Sequence, residues 1–274
     1  MAIAQTSHAG DKILVVLSEA KQLSLQNEKT YETGFYLNEL MIPVSRLIEV
    51  GYKIVFATPH GKLPHMDLSS DDIRYFGGNS VKYESIKALF KKLQLLEKKD
   101  SPVVSLSSLS DHDLSKFSAL FVPGGHAPMV DLVTEPKMGR VLKRFHLLKK
   151  PTALICHAPI VLLSTLDQSK KYVDAITAGD MASAKVLSKN WIYAGYHFTV
   201  FSTPEEISAE SGKLGGKLKY YPEDALKTAG AIPNQASKWK SNVVESFELI
   251  TGQNPSSDEE LTERLIKKLK PVLN

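Results

Sequence analysis

Short apolar runs and longer stretches of helical period alternate along this chain, and their order predicts an architecture. Lys12 to Ser18 is a nearly continuous apolar run of strand length, so both of its faces are covered, as in the middle of a parallel sheet. Leu37, Leu40, Met41, Val44, Leu47 and Ile48 then recur at helical spacing until Gly51 stops the helix. Lys53 to Thr58 is the next strand, ended by Pro59-His60-Gly61, and strand, helix and strand together make a right-handed crossover unit of an α/β sheet. The section 62–101 breaks the rhythm with Asp-rich and Gly-rich loops and a helix on which Ile86, Leu89, Phe90, Leu93 and Leu96 share a face, an insertion that could roof a site.

Val103 to Leu106 reads as a short strand, and Ala119 to Pro123 as a firmer one that closes in Gly124-Gly125-His126. A helix over 135–148 leads to Thr152 to Ile155, a buried strand that ends abruptly at Cys156, and a helix is predicted to start at Ala158 with Pro159 in its first turn. Beyond it the pattern predicts a strand over Gly195 to Ser202, a helix over Pro222 to Ala229, and a strand over Val243 to Thr251. A last helix opens near Ser256 and carries Leu261, Leu265, Ile266 and Leu269 on one face. With no repeat and no Pro/Gly-rich linker, one α/β domain over 1–274 is expected, with an insertion at 62–101 and a C-terminal extension at 207–274.

Composition narrows the function classes. In 274 residues, 43% hydrophobic and 23% charged content is ordinary for a globular protein, and a formal charge of +4 spread over scattered lysines argues against a nucleic-acid partner. The single cysteine rules out an intrachain disulfide and a CxxC site and fits a reducing compartment. No apolar stretch approaches the ~20 residues of a membrane span, and Met1 to Gly10 lacks a leader pattern, so a cytoplasmic protein with no membrane partner is expected.

The candidate chemistry gathers at the carboxyl ends of the strands, where open α/β sheets place their sites. A thiol on a tight strand-to-helix turn faces unpaired N–H groups and the positive helix end, which favour thiolate and make Cys156 a candidate nucleophile. His157 beside it can act as base and acid near neutral pH, given an orienting carboxylate; Glu205 or Glu206 could supply it, or could be plain first-turn charges after Pro204. The Gly124-Gly125 turn can bring backbone amides close to a carbonyl oxygen, and with the amide after Cys156 could form an oxyanion hole. His126 stands near this site. Glu39 projects away from the apolar stripe of its helix, so periodicity makes it a solvated surface residue. His60 and His65 do not form a recognised metal-ligand pattern, and no metal is expected.

Several segments together resemble the ThiJ/PfpI superfamily: Ile13-Leu14-Val15-Val16, Thr33-Gly34 with Glu39 and Pro43, Gly51-Tyr52 with Ala57-Thr58-Pro59, Val122-Pro123-Gly124-Gly125-His126, and Ile155-Cys156-His157-Ala158-Pro159. The long insertion and the extended tail look most like the glutathione-independent glyoxalase III branch, the heat-shock protein 31-like chaperones, over nearly the whole chain. The resemblance implies a flavodoxin-like sandwich related to class I glutamine amidotransferase domains, commonly dimeric. It also implies Cys156 as nucleophile, Glu39 as the acid that hydrogen-bonds it, His157 as the histidine of a triad and Glu206 as its acidic member, with Gly124, Gly125 and His126 binding substrate. The implied reaction converts methylglyoxal or a similar 2-oxoaldehyde to a 2-hydroxy acid without cofactor. Ala158 departs from the glycine that glyoxalase-type members usually carry there. The alternatives are a stress-responsive holdase that binds unfolded proteins, a redox sensor with a vestigial site, and a cysteine amidase or peptidase.

Overall fold

A computed structural model describes residues 11–97, 99 and 101–269 of the chain. The leader reading of residues 1–10 and the last residues of the expected extension, 270–274, fall outside the described residues. Among these the central sheet has seven strands: β1 (Lys12–Val16), β2 (Lys53–Thr58), β3 (Val104–Ser105), β4 (Phe117–Val122), β5 (Thr152–Ile155), β6 (Val243–Ser246) and β7 (Leu249–Gly252). Their spatial order is β6-β7-β5-β4-β1-β2-β3, and every pairing is parallel except the β6–β7 hairpin at one edge.

The apolar run of β1 shows why this is a three-layer α/β sandwich. Ile13 and Val15 face one hydrophobic cluster while Leu14 and Val16 face another, and all four are fully buried. Side chains alternate across a strand, so a run with no polar position needs cover on both faces. One cover is built from α1 (Leu37–Glu49) and the C-terminal α5 (Asp258–Leu269), through Leu40, Met41, Val44, Leu47, Leu261 and Leu265. The other includes α3 (Pro136–Leu147), with Val141, Leu142 and Phe145, and the segment after β5. Between them, α2 (Ser80–Leu93) and the short turn Ile73–Phe76 belong to the 62–101 section, and α4 (Thr203–Ala209) lies beyond the cysteine.

Three sequence expectations are corrected here. The segment expected as one strand over 243–251 is a hairpin, because Phe247 takes a left-handed backbone (φ 53°) that turns the chain between β6 and β7. The strand expected over 195–202 shrinks to His197–Phe198, paired with Ile232–Pro233 outside the central sheet. From Thr199 its amides are taken by other partners, Thr199 N by the Thr251 hydroxyl at 2.9 Å and Phe201 N by the Cys156 carbonyl at 2.9 Å. The helix expected after Cys156 is a 3₁₀ helix, Ala158–Thr165, buried along its whole length, so its side chains alone could not set an α period. Among the described residues no helix is long and apolar enough to cross a membrane.

Candidate active site

β4 and β5 lie side by side, so their carboxyl ends deliver Pro123-Gly124-Gly125-His126 and Cys156-His157 to the same place. Cys156 follows β5 with φ 60°, an uncommon conformation for a residue with a side chain. It is held by its own amide on Gly252 O at 2.8 Å and its carbonyl on Phe201 N at 2.9 Å. The bend lifts the sulfur to the floor of a cavity of about 850 Å³. Aromatic side chains wall it: Tyr36, the insertion's Tyr75 and Phe76, Phe201 and Trp239. The 62–101 section thus contributes to the cavity wall.

Within this floor the polar atoms form a chain. Cys156 Sγ lies 3.1 Å from His157 Nδ1, and His157 Nε2 lies 2.9 Å from Glu206 Oε1. The imidazole is fixed from its face by Phe201, stacked at 4.5 Å between ring centroids. Cys156 is 1% exposed, His157 2% and Glu206 0%, so the chain operates out of bulk water. Burial alone pulls the Glu206 carboxyl upward, but His157 and His126 outweigh it and hold it down at about 2, ionised at neutral pH. Burial and the nearby His126 push His157 down to about 4 against the pull of Glu206, so its imidazole is neutral. Glu206 therefore accepts from His157 Nε2–H, and the bare Nδ1 faces the thiol.

The ambiguity between adjacent glutamates resolves geometrically. Glu205 is occupied elsewhere: its Oε2 accepts from Ser202 N at 2.9 Å and Ser202 Oγ at 2.7 Å, capping α4, while Oε1 accepts from Trp239 N and Asn254 Nδ2, both at 2.8 Å. Glu206, one residue on, points the other way and reaches the histidine.

Glu39 overturns the periodicity reading. It is 0% exposed, because its carboxyl is turned towards Gly124 and Cys156 at the strand ends, while the neighbouring Asn38 Nδ2 donates to Asp258 Oδ2 of α5 at 2.7 Å. Neither carboxylate oxygen meets full hydrogen-bond geometry with a partner, though Cys156 and the Gly124 amide lie within its reach. Burial, aided by the charge of Asp258, lifts its carboxyl to about 8, so it carries a proton at neutral pH. The cradle explains the glycines. A Cβ on Gly124 would stand 2.4 Å from Glu39 Oε2 and 2.5 Å from the Cys156 Cβ, and one on Gly125 (φ +85°) would meet Gly34 O at 2.0 Å.

The cysteine differs from the sequence expectation in one respect. Burial pushes the thiol well up, a charge on Glu39 would push it further, and only the Gly125 amide, facing the sulfur, pulls it down among the leading influences. The 3₁₀ segment after it provides no long α-helix dipole to offset this. The resting state is a protonated thiol beside a neutral base.

His126, expected to contact substrate, lines the cavity but also places Nε2 3.1 Å from Glu206 Oε2, a link that nothing in the sequence pattern signals. His126, His157 and Glu206 are also close enough to grip a metal ion, with candidate atoms within 4.8 Å of one another. Hydrogen bonds already join Glu206 to each of the two histidines, which is a proton-transfer arrangement. His60 bonds Glu19 instead, at 2.9 Å. Ala158 is packed in the core and is absent from the cavity wall, so its methyl group does not narrow the pocket. Sequence reasoning missed Lys213, which enters the cavity from a π-helical turn, Glu210–Leu214, and bonds Asp67 Oδ2 at 2.9 Å.

A Cys-His-Glu chain at the elbow of a mostly parallel sheet, with a second acid behind the sulfur, defines an α/β protein centred on a buried cysteine. The ThiJ/PfpI family-like profile matches residues 31–196, and the chain belongs to that family. Over 267 residues it is 24% identical to the protein/nucleic acid deglycase HchA of Staphylococcus aureus, spanning 94% of this chain and 80% of that one. Among solved structures, the rapid encystment protein of Francisella tularensis matches with a TM-score of 0.67 at 21% identity, covering 95% of this chain and 99% of that chain. Glyoxalase III of Candida albicans matches with a TM-score of 0.63 at 18% identity, covering 95% and 98%.

Proposed function

We propose that this chain is a cofactor-free enzyme of the glyoxalase and deglycase type, with Cys156 attacking the aldehyde carbon of a 2-oxoaldehyde such as methylglyoxal. The observation that carries the reading is the chain Cys156 Sγ, His157 Nδ1, His157 Nε2, Glu206 Oε1, with steps of 3.1 and 2.9 Å, at the floor of an open cavity.

The thiol proton passes to His157 Nδ1 as sulfur bonds to the aldehyde carbon, and the imidazolium is stabilised by Glu206. The charge that develops on the aldehyde oxygen falls near the Gly125 amide, and Glu39, protonated, donates toward the sulfur. The oxygen takes a proton to give a hemithioacetal. His157 then moves the proton of the former aldehyde carbon to the neighbouring carbonyl carbon through an enediol, leaving a thioester. Water hydrolyses it to the 2-hydroxy acid and restores the thiol. One carbon is oxidised as its neighbour is reduced, so no outside oxidant is needed.

The expected absence of a nucleic-acid partner is at odds with the protein/nucleic acid deglycase name of HchA. It rested on a missing phosphate-gripping footprint, and an enzyme that removes an adduct from a base needs only to hold the adduct; the HchA name supports keeping such substrates in view. The test is lactate formation from methylglyoxal by the purified protein: the reading expects turnover that falls at least about a thousandfold in Cys156→Ala and His157→Ala, as removal of acting triad members does. Turnover that survives Cys156→Ala overturns it.

A further inference from the structure

The proposed mechanism uses one oxygen of Glu206. The other oxygen is not solvated: Oε2 faces His126 Nε2 at 3.1 Å, while Oε1 faces His157 Nε2 at 2.9 Å. His126 is 2% exposed, and its ring lies 3.8 Å from that of His157. Two imidazoles that both address an ionised carboxylate through Nε2 must both carry a proton there, and on the neutral His157 this leaves Nδ1 bare. On His157 that bare nitrogen meets the thiol; on His126 the Nδ1 atom is buried without a partner. A buried polar nitrogen without a partner costs stability, so a structure that keeps one holds the ring for what its other nitrogen does.

We propose that His126 is a positioning residue for the reaction proposed above: by occupying the second oxygen of Glu206 it divides that carboxylate's charge between two rings, keeping His157 neutral with Nδ1 open to the thiol. In a site of low dielectric, an undivided carboxylate facing a single imidazole would stabilise the imidazolium, and a protonated His157 cannot accept the thiol proton. The other groups around the pair are the Cys156 thiol and Glu39 on the sulfur side, Lys213 from its π-helical turn, Tyr31 edge-on to His126 at 6.3 Å between centroids, and the half-buried Tyr220. None of these is altered in the test.

The experiment compares His126→Phe, which keeps a ring and loses the donor, with His126→Gln, which keeps an amide N–H and cannot titrate. The readouts are the pH dependence of kcat/KM for methylglyoxal and the pH titration of the His157 ring followed by NMR. His126→Phe is expected to raise the acid limb and the His157 midpoint by about one pH unit or more, the scale set by removing one hydrogen bond to a charged group. His126→Gln is expected to stay near wild type in both, with KM changed little in either variant. A His157 midpoint that does not move in the phenylalanine variant overturns the inference, as does a rise in KM with an unmoved acid limb in both variants, the pattern of a substrate contact. If the wild type turns over no 2-oxoaldehyde, the function reading fails, and the NMR titration still decides the inference on its own.

Discussion

Replacing Glu39 by glutamine tests whether the acid behind the sulfur is a buried, protonated carboxyl. The change keeps the size and a donor and removes the ability to ionise. With the carboxyl lifted from 4.5 to about 8 in the folded state, the folded chain binds a proton that the unfolded chain gives up between those values. Glu39 is therefore harmless below pH 4.5 and costs stability progressively as pH rises towards 8. At 1.36 kcal/mol per unit, the cost is about 1 kcal/mol at pH 5 and about 4 kcal/mol at pH 8, an order-of-magnitude figure for a fully buried group. Glu39→Gln should thus raise Tm by roughly 2 °C at pH 5 and by roughly 8 °C or more at pH 8, at about 2–4 °C per kcal/mol for a chain of this size. Circular dichroism melts at the two pH values measure it. Equal shifts at both, or a loss of stability at pH 8, would show that Glu39 is an ionised and satisfied carboxylate and would refute the argument.

Other consequences can be checked on the same protein. The kcat/KM for methylglyoxal should rise through a limb near pH 4, where His157 loses its proton, and fall above a limb near pH 8, where an ionised Glu39 opposes charge on sulfur; Glu39→Gln should remove the upper limb. Gly124→Ala should abolish turnover and lower stability by about 1–3 kcal/mol, because the new methyl group would meet Glu39 Oε2 at 2.4 Å. Glu205→Gln should cost about 1–2 kcal/mol of stability through the weakened cap of α4 while keeping most activity, whereas Glu206→Gln should lose turnover with a smaller change in Tm; the two variants measured side by side separate capping from catalysis.

Much of the fold was legible because β1, β2, β4 and β5 are short apolar runs between strong punctuation, and a strand covered on both faces has no other way to look. Val243 to Thr251 was harder: the turn at Phe247 depends on a left-handed backbone at a residue whose side chain does not announce it. Cys156, His157 and the Gly124-Gly125 turn stood out as breaks of period at strand ends. Glu39 did not, since periodicity knows one covered face of α1, while the groups that meet its carboxyl, Gly124 and Cys156, come from strand ends far along the chain. The choice between Glu205 and Glu206 depended on side-chain direction in the first turn of α4, and the His126–Glu206 contact joins residues 80 apart. The thiolate expectation weighed a helix end and not the desolvation of a sulfur 1% exposed, which pushes the thiol up.

The account rests on a covalent bond between substrate and the sulfur of Cys156. Mass spectrometry of the protein quenched with acid during methylglyoxal turnover should find one substrate-sized adduct on the peptide that contains Cys156, absent from Cys156→Ala, which should also form no lactate. Lactate produced with no adduct on that peptide, or at an undiminished rate by Cys156→Ala, would contradict the account.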